Sequence, residues 1–173
     1  MSVHLRPLAP KDAPFMYEWM TDPDITKFFR FDAARITRES CEAFIDAASA
    51  QPNTVHFAIA DENDEYLGTI SLKDVDREKK QAEYAVSTRK KAHGTGAALQ
   101  ATRIILDYAF EELGLERVYL NVLAENGRAN AFYRKAGFRF LREEPDALEL
   151  RGARKALNWY AIQSHEWRHS HGR

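Results

Sequence analysis

The sequence predicts a mixed α/β fold, with a central, mostly antiparallel sheet of about seven strands flanked by helices. Three observations carry this. Alternating apolar and polar residues bounded by turn residues recur three times in the middle of the chain, as in consecutive antiparallel strands. Two helical patterns follow, each closed by a glycine (Gly114 and Gly137) and separated by further strand-like runs. Finally, the 173 residues, 45% hydrophobic and 29% charged, hold no repeat, linker or low-complexity tract, so residues 1–173 read as one domain around one core.

Taken in order, residues 3–8 form a first strand ended by Pro7 and Pro10. Asp12 is a plausible N-cap for a short helix whose buried face is Phe15, Met16, Trp19 and Met20. Asp22-Pro23-Asp24 breaks that helix, and residues 25–34 read as an aromatic-rich loop or irregular helix. Thr37 can cap the next helix, with Cys41, Phe44, Ile45 and Ala48 as its stripe. Strands over 54–60, 66–73 and 81–88 make the meander. A long helix over about 96–112 turns Ala101, Ile104, Ile105, Tyr108 and Ala109 inward. Then come a strand over 117–123, a helix over 126–136, and strands over 138–143 and 153–162. The polar segment beyond Gln163 is expected to fray after about residue 164.

Composition excludes several classes. The formal net charge of −1 draws the chain to neither nucleic acid nor an anionic membrane. No apolar run approaches the roughly 20 residues of a membrane-spanning helix, and the N-terminus shows no secretory h-region. The lone Cys41 fits a reducing compartment, so the cytoplasm is the expected location.

Chemistry concentrates in two segments. In the first, the strand ending Tyr84-Ala85-Val86-Ser87-Thr88 runs into Arg89-Lys90-Lys91-Ala92-His93-Gly94-Thr95-Gly96, and a long helix opens. Backbone amides at such a helix start can point at an anion, with the helix dipole adding favourable field. A dinucleotide fingerprint would need a glycine where Leu99 stands, and a P-loop would need lysine after a glycine; neither is present. In the second segment, Asn126, Asn130 and Tyr133 share one helical face at i, i+4 and i+7, beside an apolar stripe of Ala129, Phe132 and Ala136.

Lys91-Ala92-His93-Gly94-Thr95-Gly96 resembles the pyrophosphate loop of the GNAT acetyltransferases, with lysine where the family usually carries arginine or glutamine. Asn126 through Gly137-Phe138 resembles the family's second hallmark, an asparagine and a helical tyrosine before Gly-Phe. The opening Leu5-Arg6-Pro7-Leu8, Trp19 and Ala82-Glu83-Tyr84 are similar to the RimJ/RimL-type branch. The resemblance implies a GNAT fold splayed between the fourth and fifth strands, and acetyl-CoA as co-substrate. It assigns Val86, Ser87 and Thr88 to the pantetheine arm, and Lys91, Ala92, His93, Gly94, Thr95, Gly96, Ala97 and Ala98 to the pyrophosphate. Asn126 and Asn130 would bind pantetheine and nearby groups, and Lys135 would reach phosphate.

The implied reaction is direct attack of a neutral primary amine on the thioester in a ternary complex, with Tyr133 protonating the departing thiolate. Cys41 is then no nucleophile. Neutralising a lysine-like amine at pH 7 costs about 4–5 kcal/mol, and an α-amine about 1 kcal/mol. The need for a general base therefore depends on the acceptor. Glu83 is the candidate base, alternatively a cation-binding group, a group acting through water, or the partner of a surface lysine. No metal is expected: His165-Glu166-Trp167-Arg168-His169 matches a zinc-protease pattern, but in a polar tail with only His171 beyond it.

The acceptor pocket is expected between the N-terminal helices, the loop 25–34 and the segment 144–152. Phe28, Phe29 and Phe31 are its candidate substrate-binding residues, walling the pocket or filling the core. A small amine such as an amino sugar or amino-acid-like compound is the expected acceptor; a protein N-terminus or a polyamine are the alternatives. A reading of another class is a non-catalytic acyl-CoA sensor. The resemblance also allows a homodimer.

Overall fold

The computed structural model describes residues 2–170. Its seven strands, β1 His4–Pro7, β2 Val55–Ala60, β3 Tyr66–Asp76, β4 Gln81–Thr88, β5 Arg117–Leu123, β6 Arg139–Leu150 and β7 Ala153–Gln163, form one sheet in the order β1-β2-β3-β4-β5-β7-β6. Only β4 and β5 run parallel. That pairing is short: Gln81, Ala82 and Glu83 lie against Arg117, Val118 and Tyr119, and there it stops. β4 continues to Thr88 still paired with β3, and β5 continues to Leu123 still paired with β7. Beyond Glu83 and Tyr119 the sheet therefore forks, as expected of a GNAT fold.

Helices cover both faces. α1 Ala13–Met20, α2 Pro23–Thr26 and α3 Arg38–Ala48 lie on one; α4 Ala97–Asp107 and α5 Gly127–Ala136 lie on the other. The two-residue period of β2 shows the division, because Ala58 packs into the α1–α3 cluster while Ile59 packs into the cluster under α4. Thr37 and Ser40 exchange side-chain-to-backbone hydrogen bonds at the start of α3, and Cys41, Ile45 and Ala48 are its buried stripe.

Four expectations need correction. Asp12 does not cap α1. It is buried, paired through both oxygens with Arg6, and accepts from the Ala9 amide. Ile104 lies on the exposed flank of α4, where the buried stripe is Ala97, Ala101, Ile105 and Ala109, the last in a π-helical turn Tyr108–Glu112. The strand expected over 138–143 runs on to Leu150, so the segment 144–152 is the distal part of the β6–β7 hairpin, with a register break between Glu144 and Leu148. The tail does not fray at residue 164. α6 Ser164–Ser170 follows β7 directly, because Trp167 is buried beside Phe110 and its indole N–H donates to Asp107 at 2.8 Å. His171 lies outside the described residues.

Candidate active site

The fork is lined on one side by the free edge of β4. The Arg89 amide donates to the Leu67 carbonyl at 2.8 Å, so by antiparallel alternation Ser87 and Ala85 direct their backbone groups to β3. Val86 and Thr88 then direct theirs into the fork. Gly68 on β3 makes the close packing possible, since a Cβ there would lie 2.3 Å from the Ser87 carbonyl oxygen. Of the three β4 residues expected to hold a ligand arm, Ser87 is turned away.

Past Thr88 the chain makes a single 3₁₀ turn, Lys90–Ala92, and reaches Gly94 and Gly96 with φ of 76° and 83°. Such left-handed geometry favours glycine and aims successive amides inward. Ala92 is buried, and its carbonyl accepts from both the amide and the hydroxyl of Thr95; that hydroxyl accepts from the Ala97 amide. The amides of Gly94, Gly96, Ala98 and Leu99 donate to no protein group among the described residues. These open donors at the start of an 11-residue helix suit a phosphate.

The basic residues of the loop play other parts. Arg89 is buried, bridges Glu18 and Glu65, donates to the Tyr66 carbonyl and stacks on Phe15. Lys91 pairs with Glu65 at 2.6 Å and Lys90 with Asp24 at 2.8 Å. Lys91, expected to meet phosphate, is thus held by a carboxylate. Burial first, then the charges of Arg128 and Lys90, push the His93 imidazole below its ordinary pKa. Arg128, in the first turn of α5, is exposed with no ion pair among the described residues. Lys135 sits at the other end of that helix, about 10 Å further along its axis, which removes it from the loop.

The two asparagines differ in how far the protein occupies them. Asn126 caps α5 by accepting from the Ala129 amide. Asn130 is buried; its amide nitrogen donates to the Leu123 and Asn126 carbonyls, and its oxygen accepts from Asn158 and Tyr160. All its hydrogen-bonding capacity is used. Asn130 thereby ties α5 to the end of β5 and the middle of β7 and has no capacity left for a ligand, whereas the Asn126 Nδ2 donates to no group among the described residues.

That bracing fixes Tyr133 one turn later. Its ring meets Tyr84, the first β4 residue past the pairing, edge-on at 6.0 Å, and also packs against Phe138 and Tyr160. The Tyr133 hydroxyl has no hydrogen-bond partner among the described residues, and burial pushes its pKa up to about 12. It is a protonated phenol at neutral pH, suited to giving a proton. On the opposite face of the fork stands Glu83, the last paired residue, which accepts from Asn121 Nδ2 at 3.2 Å and pairs with Lys73 at 3.4 Å.

The three loop phenylalanines separate. Phe29 and Phe31 pack on Trp19 in the α1–α3 core, with ring centroids 5.9 and 6.4 Å away, so they fill core rather than wall a pocket. Phe28 instead joins Leu123, Leu150 and Leu157 on the Glu83 face. Cys41 is buried, and burial raises its thiol pKa, leaving it without nucleophilic character.

A forked sheet, an amide cradle on the α4 side and a protonated tyrosine at the apex point to one family, and the comparison decides it: residues 2–139 match the acetyltransferase (GNAT) domain. The chain belongs to the GNAT acetyltransferases. It is accordingly an acetyl-CoA-dependent N-acetyltransferase. It is 26% identical over 142 residues to spermidine N(1)-acetyltransferase of Escherichia coli (strain K12), covering 79% of this chain and 73% of that one. It is 27% identical over 125 residues to an uncharacterized N-acetyltransferase, p20, of Bacillus licheniformis, covering 70% of each. The fold matches spermidine N-acetyltransferase from Vibrio cholerae in complex with CoA and spermine, with a TM-score of 0.85, 20% identity, and coverage of 95% of this chain and 97% of that chain. No helix among the described residues of this GNAT chain is long and apolar enough to cross a membrane.

Sequence reasoning missed three residues at the fork: Gly68, Asn121 and Arg128. Each is defined by a partner, or the lack of one, far along the chain. Only Gly68 left a signal, as a glycine inside a strand pattern.

Proposed function

We propose that the chain acetylates the primary amine of a small acceptor by direct attack within a ternary complex. The observation that carries this is the fork itself, with the protonated Tyr133 on its α5 face and the Glu83 carboxylate on the other. In this reading the pantetheine arm lies along β4 and takes hydrogen bonds from the backbone of Val86 and Thr88. The pyrophosphate meets the open amides of Gly94, Gly96, Ala98 and Leu99. The acetyl carbonyl then faces the Glu83 side.

The neutral amine forms a C–N bond at that carbonyl, the C–S bond breaks, and the sulfur takes the Tyr133 proton. The new ammonium-like nitrogen gives up one proton, to Glu83 directly or through water, and Tyr133 is reprotonated from solvent. General acid catalysis of this kind contributes about 10²- to 10⁴-fold. The opening of the chain supports a place on the RimJ/RimL-type branch. The names of the curated relatives favour a second reading for the acceptor, a polyamine.

The test is thiol release from acetyl-CoA against α-amino acids, amino sugars, polyamines and N-terminal peptides. Release that depends on one class of amine is the expected result. Tight acetyl-CoA binding without amine-dependent release would overturn the reading in favour of an acyl-CoA sensor.

A further inference from the structure

We propose that the acceptor is a zwitterion, an amine carrying a carboxylate on the neighbouring carbon, and that Arg30 binds that carboxylate. The inference rests on the reading of Glu83 as the group that faces the acceptor amine.

Ion pairs are abundant in this protein, yet Arg30 has none among the described residues. It is exposed, and among the described residues its one hydrogen bond runs from Nη2 to the Asn121 Oδ1 oxygen at 3.3 Å, a neutral amide. A guanidinium offers five donors in a planar fork that matches a carboxylate. Asn121 connects it to the reaction centre, because its Nδ2 donates to Glu83 at 3.2 Å. Two hydrogen bonds and one side-chain amide therefore bound the distance from carboxylate to guanidinium at about 9 Å. An α-amino acid with a hydrogen bond of about 2.8 Å at each end spans much the same length.

The placement is enforced. Arg151, in the β6–β7 turn, donates to the carbonyls of Lys27 and Phe29, each at 3.1 Å. Phe28 packs into Leu123, Leu150 and Leu157. Both anchors hold the segment immediately before Arg30 against the hairpin. The surrounding charge points the same way. Glu83 already faces Lys73, and Glu144, the nearby acid on β6, is occupied by Trp159 Nε1 at 3.1 Å and Arg142 at 3.6 Å. A polyamine would bring its second ammonium toward Arg30, and like charges there repel.

The test measures kcat/KM for α-amino acids with small, aromatic and charged side chains, each beside its carboxamide and its decarboxylated amine, with spermidine alongside. A charge-assisted hydrogen bond predicts that the best acid exceeds its amide by about 10- to 100-fold. Arg30→Ala should bring that ratio to about one, and Arg30→Lys should restore part of it. Equal use of acid and amide, preference for spermidine, or a ratio that survives Arg30→Ala would overturn the proposal while leaving the transferase reading intact. Calorimetric titration of the protein–CoA complex with the amino acid separates the other case. Arg30-dependent binding without turnover of any amine would uphold the zwitterion site and overturn the transferase mechanism, whereas neither binding nor turnover would overturn both.

Discussion

In the proposed binding mode, the ligand-facing groups on the α4 side of the fork are main-chain amides, those of Gly94, Gly96, Ala98 and Leu99, together with the backbone of Val86 and Thr88. On the opposite side they are side chains from three distant segments: Arg30 from the loop after α2, Glu83 from β4 and Asn121 from β5. Main-chain donors survive almost any substitution that keeps the backbone path, so they suit a co-substrate common to a whole family. Side chains change one at a time, so they suit acceptors that differ between members. The two faces can therefore evolve at different rates around the same chemistry.

The largest expected effect breaks both faces at their junction. Tyr133→Phe removes the proton donor while leaving the aromatic packing around Tyr84 and Phe138 in place. Turnover should fall about 10²- to 10⁴-fold, with acetyl-CoA affinity nearly unchanged by calorimetry. The raised pKa of Tyr133, about 12, fixes the sign of the pH dependence. The protonated, donating form persists as pH rises through the ordinary tyrosine range, so the wild-type rate profile should carry no descending limb from this group below about pH 11. A mutant as active as the parent would remove Tyr133 from the mechanism.

Next in size is a substitution that moves the main-chain face without touching its ligand-facing groups. A Cβ at Gly68 meets backbone, Ser87 O at 2.3 Å and Thr88 Cα at 2.8 Å, and neither can yield without shifting β4. Gly68→Ala should cost about 1–3 kcal/mol, a fall in Tm of roughly 2–12 °C for a chain of this size. Because the shift falls on Val86 and Thr88, KM for acetyl-CoA should rise more than KM for the amine. Equal rises would mean that the β4 edge serves both faces alike.

Much of this was legible in the sequence, and the parts that were not share one cause. Strand and helix periodicities located all seven strands, though not the distal half of β6, and helices α1, α3, α4 and α5, since they depend on neighbours within a few residues. The glycine loop was legible for the same reason: Gly94 and Gly96 adopt positive φ, which their own side chains, or lack of them, permit. Charge was misleading. Lys91 looked available for phosphate, but Glu65, 26 positions away, takes it, and Asn130 is saturated by residues up to 30 positions away. The relation of Arg30 to Asn121 across 91 positions leaves no local trace. Tail residues misled in the opposite sense, because the buried face of α6 consists chiefly of one tryptophan.

The smallest effect sharpens the comparison most, because it asks whether side-chain charge matters at all on the main-chain face. Lys91 is committed to Glu65, whose carboxylate Arg89 also holds, so a bound phosphate would have to compete with that carboxylate for the ammonium. Removing it with Lys91→Ala should weaken acetyl-CoA binding by less than about threefold, the range of an exposed pair. Arg128 has no such commitment and stands close enough to His93 to lower its pKa. Arg128→Ala should weaken binding by about three- to tenfold at low salt, the difference shrinking as ionic strength rises and screens an exposed cation. Titrations of both variants at low and high salt check this. A larger loss for Lys91→Ala than for Arg128→Ala would show that the Glu65 pair opens to admit the phosphate, and that the face built from amides depends on a side chain after all.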